Sequence, residues 1–137
     1  MPANINNNST SQTLAFRLKV FKFFKYWLPV IICAILIFYL SSLTGKDMPG
    51  LFIGQDIIGH LTEYAILALL LSRALKAYHP KLSYNKRLLW VCVIAIIYAA
   101  SDEFHQSFVP GRDCSSFDLL LDAIGSLTGG LVYRWQK

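Results

Sequence analysis

The sequence predicts an all-α polytopic membrane protein, a bundle of four transmembrane helices with both termini cytoplasmic. Three observations carry that prediction. Apolar residues make up 55% of the 137 residues and charged residues only 15%, against roughly 25% charge in a soluble domain. Four apolar runs each approach the ~20 residues that cross a bilayer. Eleven of the 13 Lys and Arg residues fall on one side of those runs, the pattern of cytoplasmic positive charge. A chain of this length holds one domain. Its composition excludes disorder for most of its length, and with Gly 8 and Cys 3 it excludes a collagen-like or disulfide-rich scaffold.

Residues 1–16 are polar, rich in Asn and Ser, and show no apolar face, so they are expected to form a disordered cytoplasmic tail. The transmembrane domain is expected over 17–137. It opens with Arg17, Lys19, Lys22 and Lys25 among Phe21, Phe23, Phe24, Tyr26 and Trp27, a mixture suited to the headgroup layer. The first span covers about 27–43. Ser41-Ser42-Leu43-Thr44-Gly45 after it is a poor cleavage site, so this run is expected to be an uncleaved anchor. The second span covers about 57–75, the third 88–104 and the fourth 117–135. The second and fourth carry acids and should face each other instead of lipid. Cys33 and Cys92 lie in apolar runs as small fillers and Cys114 lies in a polar loop, with neither a disulfide framework nor a zinc pattern.

Orientation follows from charge. Four basic residues precede the first span, five (Arg73, Lys76, Lys81, Lys86, Arg87) lie between the second and third, and Arg134 and Lys137 follow the fourth. Only Lys46 and Arg112 lie on the other side. In a plasma (inner) membrane this makes the loops 45–56 and 106–116 extracytoplasmic. All eight acids fall in those loops or in the outer parts of the spans. The ionisable chemistry is therefore concentrated at the outer face. The net charge of +5 does not imply nucleic acid, because no basic face on a soluble fold accompanies it. Membrane lipids are the expected partners, and the sequence leaves the oligomeric state open.

Asp56, His60 and Glu63 are spaced i, i+4, i+7 and share one helical face, which Tyr64 extends. Glu63 then lies ~10 Å below Asp56 along the helix axis, a depth that is costly for a carboxylate unless it is paired or wetted. A single polar pair stitching helices together would also account for it. Asp102, His105 and Gln106 share a second face at the end of the third span. Glu103 points about 100° away from Asp102, so the two carboxylates are not expected to serve one partner. Pro110-Gly111 reads as a tight turn that presents Arg112. Arg112 suits either a structural clamp on a carboxylate or a fork for a phosphate or carboxylate ligand. Ser115 or Ser116 should cap the fourth helix. Asp118, Asp122, Gly125 and Gly129 follow on one face at i, i+4, i+7, i+11, and the Gly-x-x-x-Gly spacing makes that the packed face.

So many ionisable groups in a chain with so few point to a polar site. His60, Glu63, Asp102, Glu103, His105 and Asp118 are the candidate catalytic groups, as acid–base pairs of His and carboxylate. Arg112, Asp56, Gln106 and Tyr64 are the candidate substrate-binding groups. A divalent cation is a candidate cofactor. Its ligands would come from His60 or His105 with Asp102, Asp118 or Asp122, although no H-E-x-x-H motif is present. Asp122 should be either protonated at neutral pH or balanced by a cation, since crowded carboxylates cannot all stay ionised. A Ser101–His105–Asp118 triple can be drawn but is discounted, because a Ser-rich chain offers many such triples.

Two segments carry a family resemblance. One is Asp56-Ile57-Ile58-Gly59-His60-Leu61-Thr62-Glu63-Tyr64. The other is Ser101-Asp102-Glu103-Phe104-His105-Gln106-Ser107-Phe108-Val109-Pro110-Gly111-Arg112, followed by Ser116, Asp118 and Gly125. Over about 44–133 the chain resembles the VanZ-like family of small bacterial multispanning membrane proteins. The resemblance implies a cell-envelope setting, and the family's namesake is linked to resistance to teicoplanin, a glycopeptide that binds cell-wall precursors. Two positions depart from the family pattern: Ile57 stands where Lys is frequent, and Asp122 stands where Asn is usual.

Three functions compete. The first is a protein that acts on a lipid-linked or cell-wall component at the outer face. The second is a non-catalytic binder of an envelope lipid or antibiotic. The third is a transporter or channel subunit, the weakest of the three because no inverted repeat is visible and the inner halves of the spans lack ionisable stepping stones.

Overall fold

A computed structural model describes residues 5–44 and 54–135 of the chain. They form four helices: α1 (Ile5–Ser41), α2 (Gln55–Tyr78), α3 (Tyr84–Gln106) and α4 (Ser116–Trp135). No strand occurs among the described residues. Three helical stretches, Thr10–Ser41, Gln55–Tyr78 and Tyr84–Gln106, are long and apolar enough to cross a membrane. α4 has 20 residues, but Asp118 and Asp122 dilute its apolar character and it falls short of the other three.

α1 departs from expectation at its start. Within 1–16, expected to be a disordered tail, the chain is helical from Ile5. Every side chain from Thr10 to Lys25 is exposed, although Lys22 Nζ lies over the Tyr78 ring of α2 at 4.7 Å. Each added residue contributes a backbone hydrogen bond once a nucleus exists, and the long helix that follows supplies that nucleus. The helix also runs continuously through Pro29, which deprives the Lys25 carbonyl of its i+4 donor.

Turn chemistry sets the remaining boundaries. Gly54 enters α2 at φ 84°, a left-handed conformation that glycine adopts without cost. Asp56 then sits in the first turn of α2, where the helix dipole favours a negative charge. His79 N–H closes α2 onto the Leu75 carbonyl at 2.8 Å, and Pro80 cannot continue the helix. After α3, Val109-Pro110-Gly111-Arg112 forms a type II turn, with Arg112 N–H donating to the Val109 carbonyl at 3.1 Å and Gly111 at φ 78°. Ser115 caps α4: its Oγ accepts from Asp118 N–H at 3.2 Å and its carbonyl accepts from Leu119 N–H at 3.2 Å.

The core runs down α2 through Tyr64, Leu67, Ala68, Leu71, Ala74 and Leu75, opposite Val91, Ala95 and Ala99 of α3. Small residues at four-residue spacing let the helices close up. The approach is closest between α2 and α4. A Cβ placed on Gly125 would lie 2.5 Å from the Leu61 carbonyl oxygen, and one on Gly129 would collide with the Ala65 carbonyl oxygen. The expected packed face of α4 is therefore the observed one. α1 leans on α2 and α3, and among the described residues it makes no contact with α4.

Candidate functional site

The C-terminal end of α1, the start of α2, the end of α3 and the start of α4 meet at one end of the bundle. Asp102 and Glu103 organise it. Ser41 Oγ of α1 donates to Asp102 Oδ1 at 2.7 Å. Gln106 Nε2 donates to Asp102 Oδ2 at 3.1 Å and to Glu103 Oε1 at 3.3 Å. Ser115 N–H donates to Glu103 Oε2 at 2.8 Å. The two carboxylates thus do share a partner, contrary to expectation. Gln106 lies i+4 from one and i+3 from the other, so its flexible side chain sits between the two rows. All three residues are buried, and these bonds pay for that burial.

α2 and α4 are joined by His60 and Asp122, whose Nδ1 and Oδ1 lie 2.9 Å apart. Asp122 is 1% exposed. With Asp122 ionised its oxygen accepts and the proton of this bond sits on Nδ1; with Asp122 protonated the direction reverses. His60 Nε2 then faces Asp118 Oδ2 at 4.0 Å. The acids of α4 point toward His60, as their packed face requires.

A cavity of about 210 Å³ opens beside these groups. Asp56, His60, Glu63, Asp102, Gln106 and Arg112 line it. Arg112 makes no ion pair with any described carboxylate, and its Nε is buried without a hydrogen-bond partner. No clamp on a carboxylate within 4.0 Å is formed among the described residues. An apolar groove of about 480 Å³ runs between α1 and α2, walled by Leu36, Ile37, Ile66 and Leu70. Leu40 and Glu63 line both the groove and the polar cavity, so the two spaces adjoin.

Five predicted residues lie outside that lining. Glu103, Asp118 and Asp122 stand behind it, around His60. His105 turns away: its Nε2 is 3.0 Å from Ser42 Oγ and its ring stacks on Phe38 at 4.3 Å. Three residues advance a helix by about 300°, so His105 sits on the flank of the Asp102 face, toward α1. Tyr64 is 1% exposed in the core, tilted against Tyr98 at 6.3 Å, with its hydroxyl unpartnered. Ser101 Oγ donates to the Tyr98 carbonyl at 2.6 Å, which leaves no nucleophile triple with His105. The structure also adds Ser41, Ser42, Gln55 and Gly59 to the neighbourhood. Ser41 and Ser42 are visible in the sequence as the serine pair that ends the first apolar run, and Gly59 as part of the segment that carries the resemblance.

For a metal, the described residues offer His60, Glu103 and Asp122, whose ligand atoms all lie within 4.8 Å of one another. One imidazole and two carboxylates suit a divalent cation of borderline hardness. Of the candidate ligands His60, His105, Asp102, Asp118 and Asp122, His60 and Asp122 fall in this cluster. Asp102 is committed to Ser41 and Gln106, and His105 faces α1.

The helices and this polar end define a multi-pass α-helical membrane protein. A family model described as VanZ/LLP1 matches residues 5–137, and the chain belongs to that VanZ-like family. The match reaches back over the N-terminal part of α1, well beyond 44–133. No curated protein and no solved structure matches the chain.

Proposed function

We propose that this protein resides in the plasma membrane with all four helices spanning, both termini cytoplasmic and the polar cavity facing outward. There it takes a lipid-linked, anionic component of the cell envelope. The observation that carries this reading is the junction of the two spaces at Leu40 and Glu63. A ligand that fills both must be an amphiphile, with a headgroup beside Arg112 and an acyl chain between α1 and α2. Arg112 supplies a planar fork for a phosphate or carboxylate. His60, oriented by Asp122, supplies a base at Nε2 within reach of the cavity it lines. The cluster of His60, Glu103 and Asp122 favours a second reading of the same site, in which a bound divalent cation joins Arg112 in holding the anion. Teicoplanin resistance belongs to the proposal as the phenotype in which loss of the site would register.

The test uses full-length protein in nanodiscs of phosphatidylcholine doped with a photoreactive-acyl phospholipid, bearing either an anionic or a neutral headgroup. Crosslinks should concentrate on α1 and α2 peptides around Leu36 and Ile66 and favour the anionic probe. Arg112→Ala should abolish the headgroup preference and leave the acyl crosslinks in place. Equal labelling of all lipid-facing helices by both probes would refute the reading.

A further inference from the structure

The opposite end of the bundle carries a second site. Lys76 of α2, Tyr84 and Arg87 of α3, and Tyr133 and Arg134 of α4 enclose a cavity of about 160 Å³. Three cations converge on two rings there. The Arg87 guanidinium lies 5.9 Å from the Tyr84 ring and 6.0 Å from the Tyr133 ring. The Arg134 guanidinium lies 5.1 Å from the Tyr84 ring, and Lys76 Nζ lies 5.7 Å from the Tyr133 ring. Arg87 is 7% exposed.

No described carboxylate pairs with any of them. Along the helices the nearest acids are Glu63, Asp102 and Asp122, 13, 15 and 12 residues away from Lys76, Arg87 and Arg134. At 1.5 Å per residue those separations are about 20, 22 and 18 Å, far beyond ion-pair distance. Buried charges are otherwise paired. Contacts with ring faces offset only part of the desolvation of a guanidinium, and the three cations repel one another.

We infer that this pocket binds a phosphate group, held by the forks of Arg87 and Arg134 with Lys76 closing the third side. The volume admits such a group, since a water molecule's share of liquid is ~30 Å³. Two arginine forks match tetrahedral oxyanions better than a point charge does. The phosphate is presented either by an anionic lipid headgroup at that membrane face or free in solution. The inference is independent of the polar cavity at the other end.

The sign of a stability change tests it. Full-length protein is purified in a neutral detergent free of phosphate, and its melting temperature is followed on adding inorganic phosphate. It is then followed in phosphatidylcholine nanodiscs with and without phosphatidylglycerol. At least one anion should raise the melting temperature of the parent. A rise with inorganic phosphate in detergent identifies a free ligand, and a rise only with phosphatidylglycerol identifies a headgroup. Arg87→Gln should melt no lower than the parent without anion, because it removes an unpaired buried charge, and below it with anion. Arg134→Gln, at an exposed position, should keep the fold and weaken the anion's apparent affinity about tenfold or more. Lys86→Gln, exposed on the same end but outside the pocket, should not. No shift with either anion, or an equal loss in Lys86→Gln and Arg134→Gln, would overturn the inference.

Discussion

Replacing Gly125 by Ala tests whether the α2–α4 contact holds the site together. In most helix interiors Gly→Ala stabilises by up to ~1 kcal/mol. Here the new methyl would sit 2.5 Å from the Leu61 carbonyl oxygen, about 0.9 Å inside the 3.4 Å at which ordinary contact begins. The obstacle is backbone, so the helices must separate. His60 and Asp122 are the adjacent link between the same two helices. An equal displacement takes their 2.9 Å contact to about 3.8 Å, beyond hydrogen-bonding range. Overpacking costs about 1–3 kcal/mol and the lost charge-assisted bond about 1.5–3 kcal/mol. The gain in helix propensity offsets up to about 1 kcal/mol of this, so the net destabilisation is about 1.5–6 kcal/mol. Gly59→Ala is the internal control. A Cβ there meets nothing within 4 Å, so only the propensity gain remains. Thermal unfolding of both variants in the same detergent, followed by circular dichroism, should move them in opposite directions. A Gly125→Ala protein that melts at or above the parent would refute the reasoning, since the methyl would then have found room.

Further outcomes follow from the same geometry. Arg112→Lys should fail almost as badly as Arg112→Ala in a teicoplanin-susceptibility assay at matched expression, because a point charge lacks the planar fork; rescue by Lys would reduce the role to charge alone. Asp122→Asn keeps an oxygen that can accept from His60, so its melting temperature should fall by no more than about 1 kcal/mol of stability would lower it, while Asp118→Asn should lose function in the same assay. A chelator that lowers the parent's melting temperature and leaves Asp122→Asn unmoved would establish a cation at His60, Glu103 and Asp122; insensitivity of both would leave only the hydrogen bond. For orientation, Cys114 is exposed and should be the thiol labelled by an impermeant maleimide on intact cells with the outer barrier opened, whereas labelling of Ser83→Cys with Cys114 silent would invert the bundle.

Period and charge were legible along the chain. The all-α class, the four helices and the polar ends all follow from apolar runs and the placement of Asp, Glu, Lys and Arg, because helical geometry is local. Spacing alone likewise put Asp118, Asp122, Gly125 and Gly129 on the packed face of α4, and Pro110-Gly111 in a turn. Tertiary structure decided which neighbour each face meets. His105 and Asp102 share a turn and both meet α1, at Ser42 and Ser41, a helix whose position no spacing encodes. Asp102 and Glu103 diverge on a helical wheel, yet Gln106 joins them through side-chain reach that a wheel does not represent. Arg87 reads as one more interfacial cation, and the fold buries it with Tyr133 and Arg134 of α4 around the same cavity. Arg112 reads equally as a clamp or a ligand fork in the sequence, and in the fold no described carboxylate lies within ion-pair distance of it. Apart from the local Gln106 bonds, the deciding contacts join residues far apart in the chain, and such contacts are set by how faces pack.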